Sequence, residues 1–145
     1  RPEYKYKRKN GVFLTDVWDD IRELTSGYFA GDEAIRDNKG NRIHKQQSPV
    51  ALLLRIILSS TLPYDTVLDP LAGTGPTLVV AKQFERNSIG IEIDPKYTEV
   101  IRQRLKFLRK ADAISKYYSY YGFTPNLKKI WPVKGVLPLE QKTFF

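Results

Sequence analysis

The chain has 145 residues and a formal net charge of +8. Hydrophobic residues make up 41% of the chain, and aromatic residues make up 12% of it. This composition excludes a disordered chain and is typical of one globular domain with a core. The absence of cysteine excludes disulfides and thiolate metal sites, and a single histidine excludes a histidine-rich one. We therefore expect no metal, and no membrane segment, because the longest apolar run, residues 50–58, is too short to cross a bilayer.

The N-terminal residues 1–10 carry five basic side chains and one acidic one. One interpretation is a solvated, partly frayed end, and the other is a strip that contacts nucleic acid phosphates. We favour a solvated, partly frayed end as the conformation of this segment and nucleic acid as its partner. The predicted nucleic acid contacts are Lys5, Lys7, Arg8 and Lys9. No secretory signal pattern opens the chain, so a cytoplasmic protein is expected.

Residues 12–18 have the composition of a strand, and residues 25–43 are typical of a long polar connection. Alternating helices and strands follow from residue 48. The first is a buried helix capped by Ser48, with Pro49 in its first turn. A strand at 66–68 ends at Asp69-Pro70, and a helix runs from Pro76 to about Glu85. A strand at 88–93 and a helix capped by Asp94, which reaches about residue 110, complete the series.

This alternation predicts an α/β fold with a parallel sheet. We divide the chain into a basic N-terminal segment and loop (1–43), an α/β core (44–110) and an aromatic-rich tail (111–145). Because the tail is too aromatic to remain in water, we expect it to pack on the domain or on a partner.

The most informative segment is residues 67–77, VLDPLAGTGPT, in which a strand enters a glycine-bearing loop and the loop opens a helix. This is the topology of a nucleotide or nucleoside site. Leu78 stands where a dinucleotide site needs a third glycine, and the Gly-Lys-Ser/Thr of a phosphate-binding loop is missing. Glu92, near the end of the next strand, can accept hydrogen bonds from ribose hydroxyls. Adenosine without pyrophosphate fits these features, and S-adenosylmethionine is the leading candidate.

Each of these features also has a simpler interpretation. Glycines occur in any strand-to-helix turn, and Glu92 alone could be a surface acid. The order of strand, loop, helix, strand and acid is more specific than any one of them.

Residues 44–105 resemble the cofactor-binding half of the amino-methylating DNA methyltransferases. HKQQSPVALLLRIILSS, VLDPLAGTGPT and IGIEIDPKY match three family motifs in order and spacing, and VFLTDVWDDI resembles the family's D-V-W stretch. The resemblance implies part of a Rossmann-like S-adenosylmethionine-dependent fold and an enzyme of DNA methylation, as in restriction-modification, that flips its target base.

The resemblance also implies roles for individual residues. The loop residues Leu71, Ala72, Gly73 and Gly75, with Pro70 before them, would lie under the cofactor's methionine part. Asp69 would either lie close to the cofactor's amino acid moiety or orient the loop. A closing segment would cover the methionine end and is formed by His44, Gln47, Ser48 and Pro49. Glu92 would hold the ribose, and Ile93 would touch the adenine. Three positions depart from the family pattern, since Leu71 replaces an aromatic residue, Pro76 a threonine and Ser48 a lysine.

The family's catalytic Asp/Asn/Ser-Pro-Pro-aromatic motif does not occur in the 145 residues. Asp94-Pro95-Lys96-Tyr97 differs from it and stands where a helix cap is expected. In one branch of the family the catalytic half precedes the segments seen here. We therefore expect a C-terminal portion of a longer enzyme, or one subunit that needs a partner chain carrying the catalytic motif.

Two functions follow from these observations. The first is the S-adenosylmethionine-binding portion of an enzyme that methylates the amino group of adenine or cytosine in DNA, with RNA left open as a target. The second is a non-catalytic nucleic-acid-binding module with a methyltransferase-like fold.

Overall fold

A computed structural model of the chain describes residues 15–24 and 31–131. Within these ranges the elements are α1 (Val50–Ser60), β1 (Thr66–Asp69), α2 (Pro76–Gln83), β2 (Asn87–Gly90), α3 (Pro95–Lys106), two 3₁₀ segments (Lys110–Asp112 and Ile114–Tyr121) and the short helix α4 (Leu127–Ile130). None of the helices in these ranges is long and apolar enough to cross a membrane.

The two described strands pair in parallel, with Thr66 opposite Asn87 and Asp69 opposite Gly90. Because α2 connects them, they form a strand–helix–strand unit, and the predicted α/β fold class is confirmed. The predicted end of β2 at residue 93 is wrong. Beyond Gly90 the pairing continues through Ile91 alone, whose N–H donates to the Asp69 carbonyl and whose carbonyl accepts the Ala72 N–H, each at 2.9 Å.

Helix α1 differs in two ways from the prediction. Its cap position is held by Pro49 without a side-chain hydrogen bond, so the predicted capping by Ser48 is wrong. Instead, the Val50 N–H donates to Glu33 Oε1 at 2.5 Å. The predicted burial on all sides is also wrong, because Ile56 is 41% exposed. A distant carboxylate thus replaces the local cap.

The main core joins α1 and α2 to the segment that follows α3. Leu54 and Ile57 of α1 pack with Phe84 and with Trp131, which is only 2% exposed. The rings of Phe84 and Trp131 meet edge to face with centroids 4.9 Å apart. The described part of the aromatic tail therefore packs on the domain; residues 132–145 lie outside the described ranges.

Helix α3 begins as predicted, because the Lys96 N–H donates to the side chain of Asp94 at 2.8 Å. It ends at Lys106 rather than near residue 110. Val100 and Ile101 are buried, and Arg104 is buried with them.

The N-terminal region contains no strand among the described residues 15–24 and 31–49. The predicted strand at 12–18 is therefore not found over residues 15–18, and its first three residues lie outside the described ranges. Arg55 pairs with Asp20 at 2.6 Å, and its guanidinium lies over the Trp18 ring. The described part of the predicted polar connection is a turn in which the Asp37 carboxylate accepts from two backbone N–H groups.

Candidate functional site

The glycine loop, residues 70–75, lies between the end of β1 and the start of α2. Asp69 Oδ1 accepts the Leu71 N–H at 3.1 Å, and the Gly75 N–H donates to the Ala72 carbonyl at 2.7 Å. Gly73 and Gly75 have φ angles of +53° and +74°, which is left-handed backbone that favours glycine. These contacts fold the loop into a tight turn at the carboxyl end of the sheet, where ligands bind in open α/β folds.

The two glycines of the loop face different neighbours. A Cβ on Gly75 would lie 2.7 Å from Cγ1 of Ile101, which belongs to α3. A Cβ on Gly73 would lie 3.5 Å from Nε2 of His44. Gly75 therefore permits close packing of the loop on α3, while Gly73 keeps a space open between the loop and His44.

Glu92 reaches the loop from the end of β2. Its Oε2 accepts the Gly73 N–H at 2.8 Å, and its Oε1 accepts the Asp94 N–H at 2.8 Å. A carboxylate oxygen has a second lone pair, so each can accept one more hydrogen bond. Glu92 is thus an acceptor fixed against the loop, and the side chains of Leu71 in the loop and of Ile93, the next residue in the chain, are exposed.

The predicted closing segment lies beside the same loop. The Gln46 N–H donates to Nδ1 of His44 at 3.2 Å, and the His44 ring meets that of Tyr97 with centroids 5.0 Å apart. Nδ1 is therefore engaged within the segment, and Nε2 is the ring nitrogen that lies on the Gly73 side. The Tyr97 hydroxyl donates to the Ile43 carbonyl at 3.2 Å and holds the segment against α3.

Other residues of the predicted site have structural contacts instead of open side chains. The buried amide of Gln47 donates to the Glu33 carbonyl at 2.8 Å and accepts the Ile35 N–H at 3.1 Å. Ser48 and Pro49 are half-buried just before α1. The structure therefore brings His44, Gly73 and Glu92 together and uses Gln47 as an anchor.

Sequence analysis missed one glycine at the site. A Cβ on Gly90 would lie 2.7 Å from Cδ2 of Leu78 and 3.2 Å from Cβ of Ala72. Gly90 therefore lets β2 approach the loop and α2 closely. A glycine inside the strand pattern of residues 88–93 was the available signal, since such glycines often mark a close approach.

Sequence analysis also missed a buried ion pair behind the loop. Arg104 and Asp112 are both almost fully buried and join at 2.9 Å, and Arg109 pairs with the same carboxylate at 2.7 Å. Burial lowers the pKa of Arg104, and the charge of Asp112 opposes that shift. Burial alone would raise the pKa of Asp112, but hydrogen bonds and charges from Arg109 and Arg104 bring it below its ordinary 3.8.

This low pKa predicts acid sensitivity. An acid with a lowered pKa in the folded state stabilises the fold above its unfolded pKa, and that contribution is lost as pH falls through the lower folded value. We expect Asp112→Asn to lower the free energy of unfolding by about 2 kcal/mol at pH 6. The difference from wild type should shrink below pH 4 in urea titrations. Nearby Glu33, whose pKa is raised by burial, is present in both proteins. A difference that is constant from pH 3 to 6 would contradict this expectation.

The described residues contain no group of three or more His, Cys, Asp or Glu side chains that could hold a metal ion. The predicted nucleic acid contacts, Lys5, Lys7, Arg8 and Lys9, lie outside the described residues. The Asp94-Pro95 pair acts as the helix cap that was expected, not as part of a base pocket.

Comparison with known proteins identifies the family. The family model described as "DNA methylase" matches residues 1–103. The chain belongs to this DNA methylase family. The resemblance drawn from the motifs is thereby confirmed at the level of family.

The chain is similar to two curated relatives over part of their length. It is 48% identical over 79 residues to the type II methyltransferase M.HinfI of Haemophilus influenzae, a match that covers 54% of this chain and 22% of that protein. It is 38% identical over 94 residues to the type II methyltransferase M2.DpnII of Streptococcus pneumoniae, with 61% and 35% covered. The chain thus spans about a fifth to a third of the length of these relatives.

Two solved structures also match part of the chain. A crystal structure of an M1.HpyAVI–SAM complex is 33% identical, with a TM-score of 0.41, and the match covers 50% of this chain and 42% of that one. A second crystal structure of M1.HpyAVI is 35% identical, also with a TM-score of 0.41, and 52% and 42% are covered.

Proposed function

We propose that the chain is the S-adenosylmethionine-binding portion of a DNA methyltransferase that acts on the exocyclic amino group of adenine or cytosine. The observation that carries the proposal is the convergence of Gly73, Glu92 and His44 on one point at the carboxyl end of the sheet. Family membership and the names of the relatives support the same reaction class.

The residues around the loop fit the cofactor chemically. Glu92 keeps free lone pairs for ribose hydroxyls while its other bonds fix it to the loop. The space that a Gly73 side chain would fill allows a ligand to approach the backbone between the loop and His44. Bound there, S-adenosylmethionine would supply the methyl group.

Each remaining residue then has a role of its own. Exposed Ile93 offers an apolar surface beside Glu92, suited to the adenine ring. Exposed Leu71, with Asp69 and Pro70 before it, faces the methionine part, and buried Ala72 shapes the loop through its backbone. His44 closes that end, and Gln47 with Ser48 and Pro49 positions the segment that carries it.

The catalytic motif would come from the rest of a longer chain or from a partner chain. The two-stranded sheet of the described residues leaves one face partly uncovered, with Leu68 and Ile89 60% and 55% exposed. Unpaired strand edges and exposed apolar side chains favour additional strands. The small share of each relative that is matched supports the same division.

The cofactor role is tested by titrating the purified chain with S-adenosylmethionine in a calorimeter. We expect Glu92→Ala to weaken binding about 100-fold, because it removes a charged acceptor for the ribose and the contact that fixes the Gly73 N–H. Glu99→Ala is the matched control, since Glu99 is an exposed acid of α3 whose described partners are Gln103 and Arg102. Circular dichroism establishes that each variant is folded.

The outcomes separate this function from the alternative. Binding by wild type and Glu99→Ala, with loss in Glu92→Ala, supports the cofactor site. A folded wild type without S-adenosylmethionine affinity, but with steeply salt-dependent DNA binding, would support a non-catalytic nucleic-acid-binding module.

A further inference from the structure

The glycine loop is held on its buried side by Arg104, a residue that belongs to none of the sequence motifs. Nη1 of Arg104 donates to the Thr74 carbonyl at 2.6 Å, and both residues are 1% exposed. The Thr74 carbonyl and the Gly75 N–H belong to the same planar peptide unit. A bond that fixes the carbonyl end therefore also aims the Gly75 N–H at the Ala72 carbonyl, which closes the turn.

The guanidinium of Arg104 is itself fixed by Asp112. Its Nε donates to Oδ2 at 3.2 Å and its Nη2 to Oδ1 at 2.9 Å, which is a bidentate pair. Nε of Arg109 donates to the same carboxylate, and Nη2 of Arg109 donates to the Glu33 carbonyl at 2.8 Å. The donor aimed at the loop therefore has little freedom to turn away.

We propose that Arg104, oriented by Asp112, is a positioning residue that fixes the Thr74–Gly75 peptide and thereby the cofactor-facing shape of the glycine loop. A buried ion pair is not needed for stability as such, because apolar residues of similar volume can replace it. The effect on the cofactor rests on the function proposed above, whereas the effect on the loop does not.

The test separates positioning from stability. In the double variant Arg104→Met/Asp112→Leu, apolar side chains replace the pair but Arg109 loses its carboxylate, so we expect the midpoint of thermal unfolding to fall by no more than in the control variant below. The Thr74 carbonyl nevertheless loses its donor. We expect the Gly75 amide to exchange with solvent deuterium at least tenfold faster relative to the amide of Leu54, a buried residue of α1, and S-adenosylmethionine affinity to fall at least tenfold.

Arg86→Met is the matched control. Arg86 is also a buried arginine that donates to backbone carbonyls, but its partners are those of Thr61, Phe84 and Ile130, outside the loop. This variant should lower the midpoint of unfolding and leave the ratio of Gly75 to Leu54 exchange within about twofold of wild type. A change in that ratio equal to that of the double variant would overturn the proposal.

A measurement on wild type decides the case if the double variant does not fold. The hydrogen bond should give a scalar coupling between Arg104 Nη and the Thr74 carbonyl carbon in the NMR spectrum, and its absence would overturn the proposal. A folded double variant with unchanged Gly75 exchange would overturn it as well. Failure of wild type to bind S-adenosylmethionine would count against the proposed function alone, because exchange and coupling need no cofactor.

Discussion

Replacing Trp131 with alanine is expected to lower the free energy of unfolding by about 4 kcal/mol, as for other large aromatic residues removed from cores. Trp131 is 2% exposed and meets the rings of Phe84, Tyr118 and Tyr121 edge to face. The midpoint of thermal unfolding should fall by roughly 10 °C or more. Urea titration and calorimetry measure the two quantities.

Two further variants make this expectation specific. Trp131→Phe keeps a ring in the same site and should cost less than half as much. Trp18 is the other tryptophan of the chain and lies partly exposed over Arg55. In a Trp18→Phe background, fluorescence therefore reports Trp131 alone and should shift to longer wavelength as the chain unfolds. A Trp131→Ala protein as stable as wild type would contradict the packing described here.

The position of Trp131 also bears on where the folded unit ends. The family match stops at residue 103, yet Ile114, Leu127 and Trp131 belong to the same core as α1 and α2. The Ile130 carbonyl also accepts a hydrogen bond from buried Arg86. The segment that follows α3 therefore completes the core of the family region, at least as far as residue 131.

The parts of this fold that could be predicted from sequence are those set by local chemistry. Asp94 caps α3 through a neighbouring N–H, Pro76 begins α2, and β1 ends at Asp69, because each signal acts within a few residues. The proximity of Gly73 and Glu92 could be predicted as well, since they follow successive parallel strands and such strands end at the same edge of a sheet.

The parts that could not be predicted depend on residues far apart in the chain. Ser48 has the right type for a cap, but Glu33 holds the start of α1 from 17 residues away. Arg104 lies next to the apolar face of α3, and because it is an arginine it is expected to be exposed to solvent. Only the fold brings Asp112 and the Thr74 carbonyl to it, so no local pattern predicts its burial.

Replacing Gly75 with alanine is expected to lower the free energy of unfolding by about 3 kcal/mol. Left-handed backbone costs an alanine about 1 kcal/mol, and overpacking a core contact adds about 2 kcal/mol. The second contribution arises because the new Cβ would lie 2.7 Å from Cγ1 of Ile101. Urea unfolding of wild type and variant measures the sum.

Gly40→Ala is the control for backbone strain. Gly40 has a φ angle of +80°, similar to that of Gly75, but no atom lies within 4 Å of the position of its Cβ. It should cost about 1 kcal/mol. The chain already has left-handed backbone at Tyr64, Glu85 and Asn126, so strain of this size is tolerated. Equal costs at Gly75 and Gly40 would show that steric overlap contributes nothing.

A double-mutant cycle with Ile101→Ala assigns the overlap to its partner. This substitution removes both γ carbons and leaves only Cβ, 3.4 Å from the new methyl group. Gly75→Ala should then cost about 1 kcal/mol in the Ile101→Ala background, which gives a coupling of about 2 kcal/mol. Such a coupling would mean that packing of α3, not a ligand, requires the second glycine of the loop. The first glycine, Gly73, would then be the one whose missing side chain serves the cofactor, because its open side faces His44 and its N–H is bound by Glu92.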